Sequence, residues 1–247
     1  KQQEEREELN KQKSFKSNDT MFKNTYSLFA STAGYSFGHF FMNSAIVTVI
    51  GVVCTIFFSL LATYAVSRVK FFGANFWFGC IIMTMMIPAQ VMVVPQYIIL
   101  KKLHLNDTLL AMILPWAFGG AFFVFLIVQY MRGIPKELDE AAMIDGCSKI
   151  GILFKILVPV VQPAIVSAAI FAFYWIWQDF SLPLIFVGSP KNYTIPLALN
   201  MYTDPNSYNN YGGLFAMSVI SLLPVILVFI KFQKYLVEGI ATDGIKG

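Results

Sequence analysis

Outside the polar arm at residues 1–24, the charged residues that could do chemistry are concentrated in one segment, Arg132-Gly-Ile-Pro-Lys-Glu-Leu-Asp-Glu-Ala-Ala-Met-Ile-Asp-Gly-Cys-Ser-Lys-Ile-Gly-Ile-Leu-Phe-Lys-Ile-Leu-Val-Pro159. Its acids Glu137, Asp139 and Glu140 have no catalytic company, because the only histidines are His39 and His104, near the ends of apolar runs. A histidine-based catalytic network or a histidine-rich metal site therefore lacks raw material. Cys54, Cys80 and Cys147 show neither metal-like nor framework spacing and read as packing residues. No catalytic residue and no metal ligand is assigned, and the segment reads as a surface for docking.

Its local code is a helix–turn–helix. Pro135 suits a first helical position, and Lys136 to Ile144 are mostly good helix formers. The acids favour the positive end of that helix dipole, and Gly146 can take the left-handed conformation that ends it. Ser148 can then cap a second short helix leading into the next apolar run. A connection between membrane helices needs only about 2–8 residues, so an ordered helix–turn–helix requires a further purpose. An amphipathic helix resting on lipid is the alternative, but three acids suit an anionic leaflet poorly.

The elements that must position this segment are transmembrane helices. Of the 247 residues 57% are hydrophobic and only 13% charged, against about 45–50% and about 25% in soluble domains. Uninterrupted runs without Asp, Glu, Lys or Arg cover Phe40–Ser67, Phe71–Leu100, Thr108–Met131, Ile156–Gln178 and Tyr211–Ile230. Each reaches the roughly 20 residues that a helix needs to cross a bilayer, so the fold class is all-α, a polytopic bundle of five spans. A β-barrel would instead alternate polar and apolar residues. Orientation follows from the loop cations. Placing Arg68, Lys70, Arg132 to Lys155 and the cations after Ile230 in the cytoplasm leaves only Lys101, Lys102 and Lys191 in the opposite loops. That puts the carboxyl terminus inside and the polar arm, residues 1–24, outside. The chain opens on Lys1 rather than methionine, so something upstream is expected to be missing.

Within the spans, Pro88 and Pro95 lie about two turns apart beside Gln90 and Gln96, which implies a kinked segment that either lines a pathway or packs as a bent helix. Ala164, Ala168 and Ala172 give one smooth face for close helix–helix contact. Tyr174-Trp-Ile-Trp-Gln-Asp-Phe reads as an interfacial aromatic belt, although aromatic rings also stack on sugars. Residues 179–210 form an outer loop whose piece Ser181–Val187 is too short to cross. Asn43, Gln90, Gln129 and Gln178 are the uncharged candidates for a pathway, and each could equally serve hydrogen bonds between helices.

Glu140-Ala-Ala, three residues, Gly146, nine residues, then Ile156-Leu-Val-Pro159 resembles the EAA signature of permease subunits in bacterial binding-protein-dependent ABC importers. Val158 stands where leucine is usual. The carbohydrate-uptake branch, related to the smaller permease of the maltose transporter, is resembled further by Phe41-Met-Asn-Ser-Ala-Ile-Val-Thr, Met86-Ile-Pro, Asp145-Gly, Trp177-Gln-Asp-Phe-Ser-Leu-Pro-Leu-Ile, Thr194-Ile-Pro-Leu and the ending Gly239-Ile-Ala-Thr-Asp-Gly-Ile-Lys-Gly. The resemblance covers about residues 25–247 and implies that what is missing upstream includes a sixth, amino-terminal span. It implies one transmembrane domain with a cytoplasmic coupling loop at 132–159, in which Glu140, Ala141, Ala142, Asp145 and Gly146 meet an ATPase. It also implies a second permease subunit, two ATPase subunits or domains carrying ATP and Mg, and an extracytoplasmic solute-binding protein. The implied cargo is a sugar, and the implied location is the bacterial cell membrane, in contact with lipid and with no nucleic acid. No phosphate-binding GxxxxGK[ST] pattern occurs, so the chain itself is not expected to hydrolyse ATP.

A self-sufficient secondary transporter or channel is the alternative. The long acidic loop and the uncharged spans argue against it, since ion-coupled carriers place ionisable groups inside the membrane.

Overall fold

The computed structural model describes residues 34–201 and 211–241, without the side chains of 211–212 and 236–241. The expected arm at residues 1–24 lies outside the described residues, as do part of the outer loop and the last residues of the tail. The described elements are helical. They are α1 (Phe37–Arg68), α2 (Ala74–Thr84), α3 (Ala89–Lys102), α4 (Leu109–Ala117), α5 (Ala121–Arg132), α6 (Glu137–Ile144), α7 (Lys149–Val160), α8 (Gln162–Trp177), α9 (Ser181–Phe186), α10 (Ile195–Met201) and α11 (Tyr211–Ala241).

Three spans are long and apolar enough to cross outright: α1, α4 with α5 as Leu109–Arg132, and Gly213–Tyr235 of α11. The other two are bent pairs, α2–α3 at 99° and α7–α8 at 81°. The five apolar runs of the sequence thus reappear, two of them broken. The α2–α3 break falls at Pro88, which lacks an N–H and disfavours helical geometry in Ile87 before it. Pro95, expected to kink the span as well, sits inside α3 with no interruption. The α7–α8 bend is a correction, because the sequence reads Ile156–Gln178 as one uninterrupted span. Pro159 and Pro163 flank the joint at Val161, and residues 152–157 are wound as a π-helix.

The bundle is organised around α1, whose seam is small and polar. Ser44, Val47, Thr48, Gly51, Thr55, Ser59 and Thr63 are buried, while Met42, Val49, Val53 and Phe57 are exposed. This inversion suits lipid, since apolar side chains gain nothing by leaving it and most seam hydroxyls find partners inside, Thr48 and Ser59 being without one among the described residues. Thr55 donates to the Trp116 carbonyl at 2.7 Å and Thr63 to the Val124 carbonyl at 3.3 Å, so α1 supplies hydrogen bonds on both sides of the break between α4 and α5. Gly119 makes that break with φ +78°, and a Cβ placed there would meet Ser59 Oγ at 2.7 Å and Ser59 N at 3.2 Å.

Across the seam lies α8, whose Ala164, Ala168 and Ala172 are all fully buried, as the alanine spacing predicts. Ala168 and Ala172 join Leu60, Phe123 and Ile127 in one core. The aromatic cluster also packs within the bundle. Trp175 packs at 5.0 Å from Phe122 and 5.5 Å from Phe123, and Trp177 stacks on Phe173 and donates from its indole to the Ser221 carbonyl at 3.0 Å. Trp175 thus ties α8 to α5 through ring contact, and Trp177 ties it to α11 through its indole N–H.

At the end of the bundle remote from α6, residues 186–195 are tied down twice. Asn43 donates to the Lys191 and Tyr193 carbonyls at 2.9 and 3.0 Å, and Ser44 Oγ accepts from Ile195 N at 2.8 Å. Asp107 accepts from Gly188 N at 3.1 Å, from Ser189 N at 2.9 Å and from the Ser189 hydroxyl. Partial burial raises the Asp107 pKa, but these hydrogen bonds outweigh it and hold the carboxyl below the ordinary aspartate range.

Two predictions follow from these joints. Gly119→Ala should lower stability by about 1–3 kcal/mol, because the turn needs a left-handed residue and Ser59 backbone blocks the new methyl. Gly79→Ala, with open space around it, should not; thermal unfolding in detergent compares the two. A depressed folded pKa stabilises above the unfolded value of about 3.9 and loses that contribution as pH falls through the lower folded value. Stability should therefore decline more steeply below about pH 4 in the wild type than in Asp107→Asn.

Candidate coupling surface

The helix–turn–helix of the sequence is present. Lys136 occupies the N-cap of α6, so Pro135 precedes the cap instead of opening the helix. The helix ends in a Schellman turn, in which Cys147 N donates to the Ala142 carbonyl at 2.9 Å and Gly146 N to the Met143 carbonyl at 3.1 Å. Gly146 takes φ +81°, as such a turn requires. Ser148 then caps α7 by accepting from Gly151 N at 3.1 Å.

The helix α6 has two distinct faces. Asp139 and Ala142 are buried against the bundle, Ala142 in the same core as Ile127, Ile152 and Leu157. Glu137, Leu138, Glu140, Ala141, Met143, Ile144 and Asp145 are exposed. Ile144 is 86% exposed. An apolar residue so exposed next to three acids fits neither water nor an anionic leaflet. Of the residues expected to meet a partner, Glu140, Ala141, Asp145 and Gly146 lie on the exposed side, and Ala142 does not.

The fixing point of α6 was missed in the sequence. Arg68, the last residue of α1, donates to Asp139 Oδ2 at 3.2 Å, to the Ile134 carbonyl at 2.9 Å and to the Met131 carbonyl. The two side chains are 3% and 12% exposed. One guanidinium thus closes the carbonyl end of α5, neutralises α6 and terminates α1, work that its planar fork of donors suits. Two neighbours on the same turn reinforce it: Ser67 Oγ donates to Met131 Sδ at 3.0 Å, and Tyr64 OH to the Lys149 carbonyl at 2.9 Å. The available signal was a lone arginine closing an apolar run, with Asp139 three residues before Ala142 on the inward face.

Beside this joint lies an open cavity of about 300 Å³ lined by Lys70, Lys136, Lys149 and Glu140 along with Arg68 and Asp139. The pathway candidates are scattered. Asn43 is buried and spends its amide on the outer segment, while Gln90, Gln129 and Gln178 are exposed on α3, on α5 and at the end of α8. Among the described residues no group of histidine, cysteine or acid side chains could hold a metal ion.

Comparison with known proteins gives this geometry a setting. The profile described as "Binding-protein-dependent transport system inner membrane component" matches residues 55–242, from the middle of α1 to the end of α11. The probable ABC transporter permease protein YurM of Bacillus subtilis (strain 168) is 37% identical over 242 residues, covering 94% of this chain and 80% of the relative. The arabinooligosaccharides transport system permease protein AraQ of Halalkalibacterium halodurans is 37% identical over 207 residues, covering 84% and 74%. A crystal structure of a bacterial ABC transporter involved in the import of the acidic polysaccharide alginate shares the fold, with a TM-score of 0.73 at 24% identity over 81% of this chain and 75% of that one. A bent bundle presenting a bolted, half-exposed acidic helix between its third and fourth spans is thus a permease architecture, and the chain belongs to the family of inner-membrane components of binding-protein-dependent transport systems.

Proposed function

We propose that this chain is one of two permease subunits of a sugar importer, and that α6 is the helix through which ATPase subunits drive it. The observation that carries this reading is the division of α6 into a bolted face, Asp139 and Ala142, and a free face around Glu140 and Ala141. A helix that only filled space would have no use for Ile144 and Met143 standing outside the bundle. The sugar follows from the arabinooligosaccharide relative and from the motifs shared with the carbohydrate branch.

Mechanically, α6, the Gly146 turn and α7 form a bracket. Arg68 pins its near arm to α1 and α5, and the 81° joint at Val161 connects its far arm to α8. A push on α6 is delivered as rotation of α8 against α1 along the alanine face, a rigid-body change between two packings. The chain supplies the bracket and half of the pore. ATP and Mg belong to the partner subunits, a solute-binding protein delivers cargo from outside, and the carboxyl terminus and α6 face the cytoplasm.

In the assembled complex, Glu140→Lys should lower sugar-stimulated ATPase activity and uptake about tenfold or more, by reversing a charge at the docked surface. Membrane levels of the chain should stay unchanged on immunoblots. Arg68→Ala leaves Asp139 buried without a counter-charge and should destabilise by about 3–5 kcal/mol. Asp139→Asn removes the charge and keeps a hydrogen-bonding group of similar shape, so it should cost less; detergent thermal shifts rank the two. Uptake by the purified chain alone, indifferent to Glu140→Lys, would instead identify a self-sufficient carrier.

A further inference from the structure

A second cavity, of about 500 Å³, adjoins the one beside the Arg68–Asp139 joint and shares Arg68, Lys70 and Lys136 with it. Its other walls include Phe71, Phe72 and Asn75, from the link between α1 and α2 and the first turn of α2. No acid lines it, whereas the first cavity holds Asp139 and Glu140. Arg68 is committed to Asp139, but the ammonium groups of Lys70 and Lys136 pair with no described residue. Two cations from distant parts of the chain thus line one space without a counter-charge. Arg132, at the end of α5, adds a third about one turn along α2, its guanidinium 4.3 Å from the centre of the Phe78 ring. The depth of the cavity follows from the sequence. Ser67 ends one uncharged run and Phe71 opens the next, so residues 68–70 lie where the chain leaves the hydrocarbon and meets the lipid phosphates. Beyond Lys70, the rings of Phe72, Phe76 and Trp77 are exposed, that of Phe72 completely.

We infer that this cavity seats the headgroup of an anionic phospholipid, its phosphodiester paired with Lys70 and Lys136 and its acyl chains against Phe72, Phe76 and Trp77. Ammonium groups donate to phosphate oxygens as compact point charges, and the Asn75 carboxamide adds neutral donors for the rest of the headgroup. The occupant is a lipid and not a free phosphate, because the exposed rings serve only a ligand with an apolar part. A zwitterionic headgroup suits the cavity less well, since its own cation would lie beside two unpaired lysines. Lipid held here bridges the α1–α2 link to Lys136, the N-cap of α6. The bracket thereby gains a tie to the membrane besides the Arg68–Asp139 pair. This inference stands on the membrane placement of the chain and not on the sugar-importer reading.

The test is native mass spectrometry of the complete complex in delipidated detergent micelles, titrated with phosphatidylglycerol or with phosphatidylcholine of the same acyl chains. Phosphatidylglycerol should occupy at least one site about tenfold more tightly than phosphatidylcholine, and Lys70→Gln/Lys136→Gln should weaken that site about tenfold or more. Lys70→Arg/Lys136→Arg should keep it. Lys101→Gln/Lys102→Gln, which removes two cations from another loop, should leave it unchanged. Phe72→Ala/Trp77→Ala, with every charge in place, should weaken it severalfold, which keeps the inference testable if the glutamine variant fails to assemble. Glycerophosphoglycerol, the same headgroup without acyl chains, should not displace the lipid at hundredfold excess. Displacement by it overturns the lipid assignment in favour of a soluble phosphodiester. The inference also falls if phosphatidylglycerol has no preference over phosphatidylcholine, if the glutamine or the aromatic variant binds like wild type, or if the Lys101 and Lys102 substitutions cost as much.

Discussion

The buried ion pair between Arg68 and Asp139 is the constraint on which the working end of this molecule depends. Its energetics are unfavourable for simple stabilisation, because two charges lose their water and two polar atoms, Arg68 Nε and Asp139 Oδ1, are left without partners among the described residues. Replacing such a pair with well-packed apolar groups often costs nothing. What an apolar replacement would lack is register. The guanidinium reaches three acceptors belonging to α5, to the turn after it and to α6, so only one placement of α6 satisfies it. A helix of eight residues, too short to be stable alone, is thereby held at a defined angle.

The same logic explains why breaks are tolerated in a bundle that spans lipid. A carbonyl freed by Pro88, by the Gly119 turn or by the joint at Val161 costs several kcal/mol in hydrocarbon unless something replaces its lost donor. At the α4–α5 break the replacement is Thr55, and the close seat of Gly119 on Ser59 excludes lipid from the gap. The small, hydroxyl-bearing seam of α1 thus lets α4 and α5 break beside it, while the proline-flanked α7–α8 bend forms the bracket.

Most of this fold could be read from the sequence where one local rule sufficed. Apolar runs gave the spans, Gly146 and Ser148 the turn and the cap, and the alanines at spacing four the buried face of α8. The failures share a different cause, since each depends on a partner distant in sequence. Asp139 looked like one of three surface acids until Arg68, 71 residues away, was seen against it. Trp175 and Trp177 read as interfacial because an indole at a span end suits headgroups, and their packing on Phe122 and Phe173 and the bond to Ser221 depend on partners the local sequence does not reveal. Pro95 shows the limit of the proline rule, for α3 runs on through it while the span yields seven residues earlier.

The exposed face of α6 also bears on how force could pass through the molecule. Glu140 is adjacent in sequence to Asp139 and lines the same cavity, but Glu140 is exposed where Asp139 is buried against Arg68. The buried carboxylate is thus committed to Arg68, and the exposed one is left to face outward. With the faces divided, displacement of α6 carries the ends of α1, α5 and α7 with it, and the compliant element is the proline-flanked bend ahead of α8.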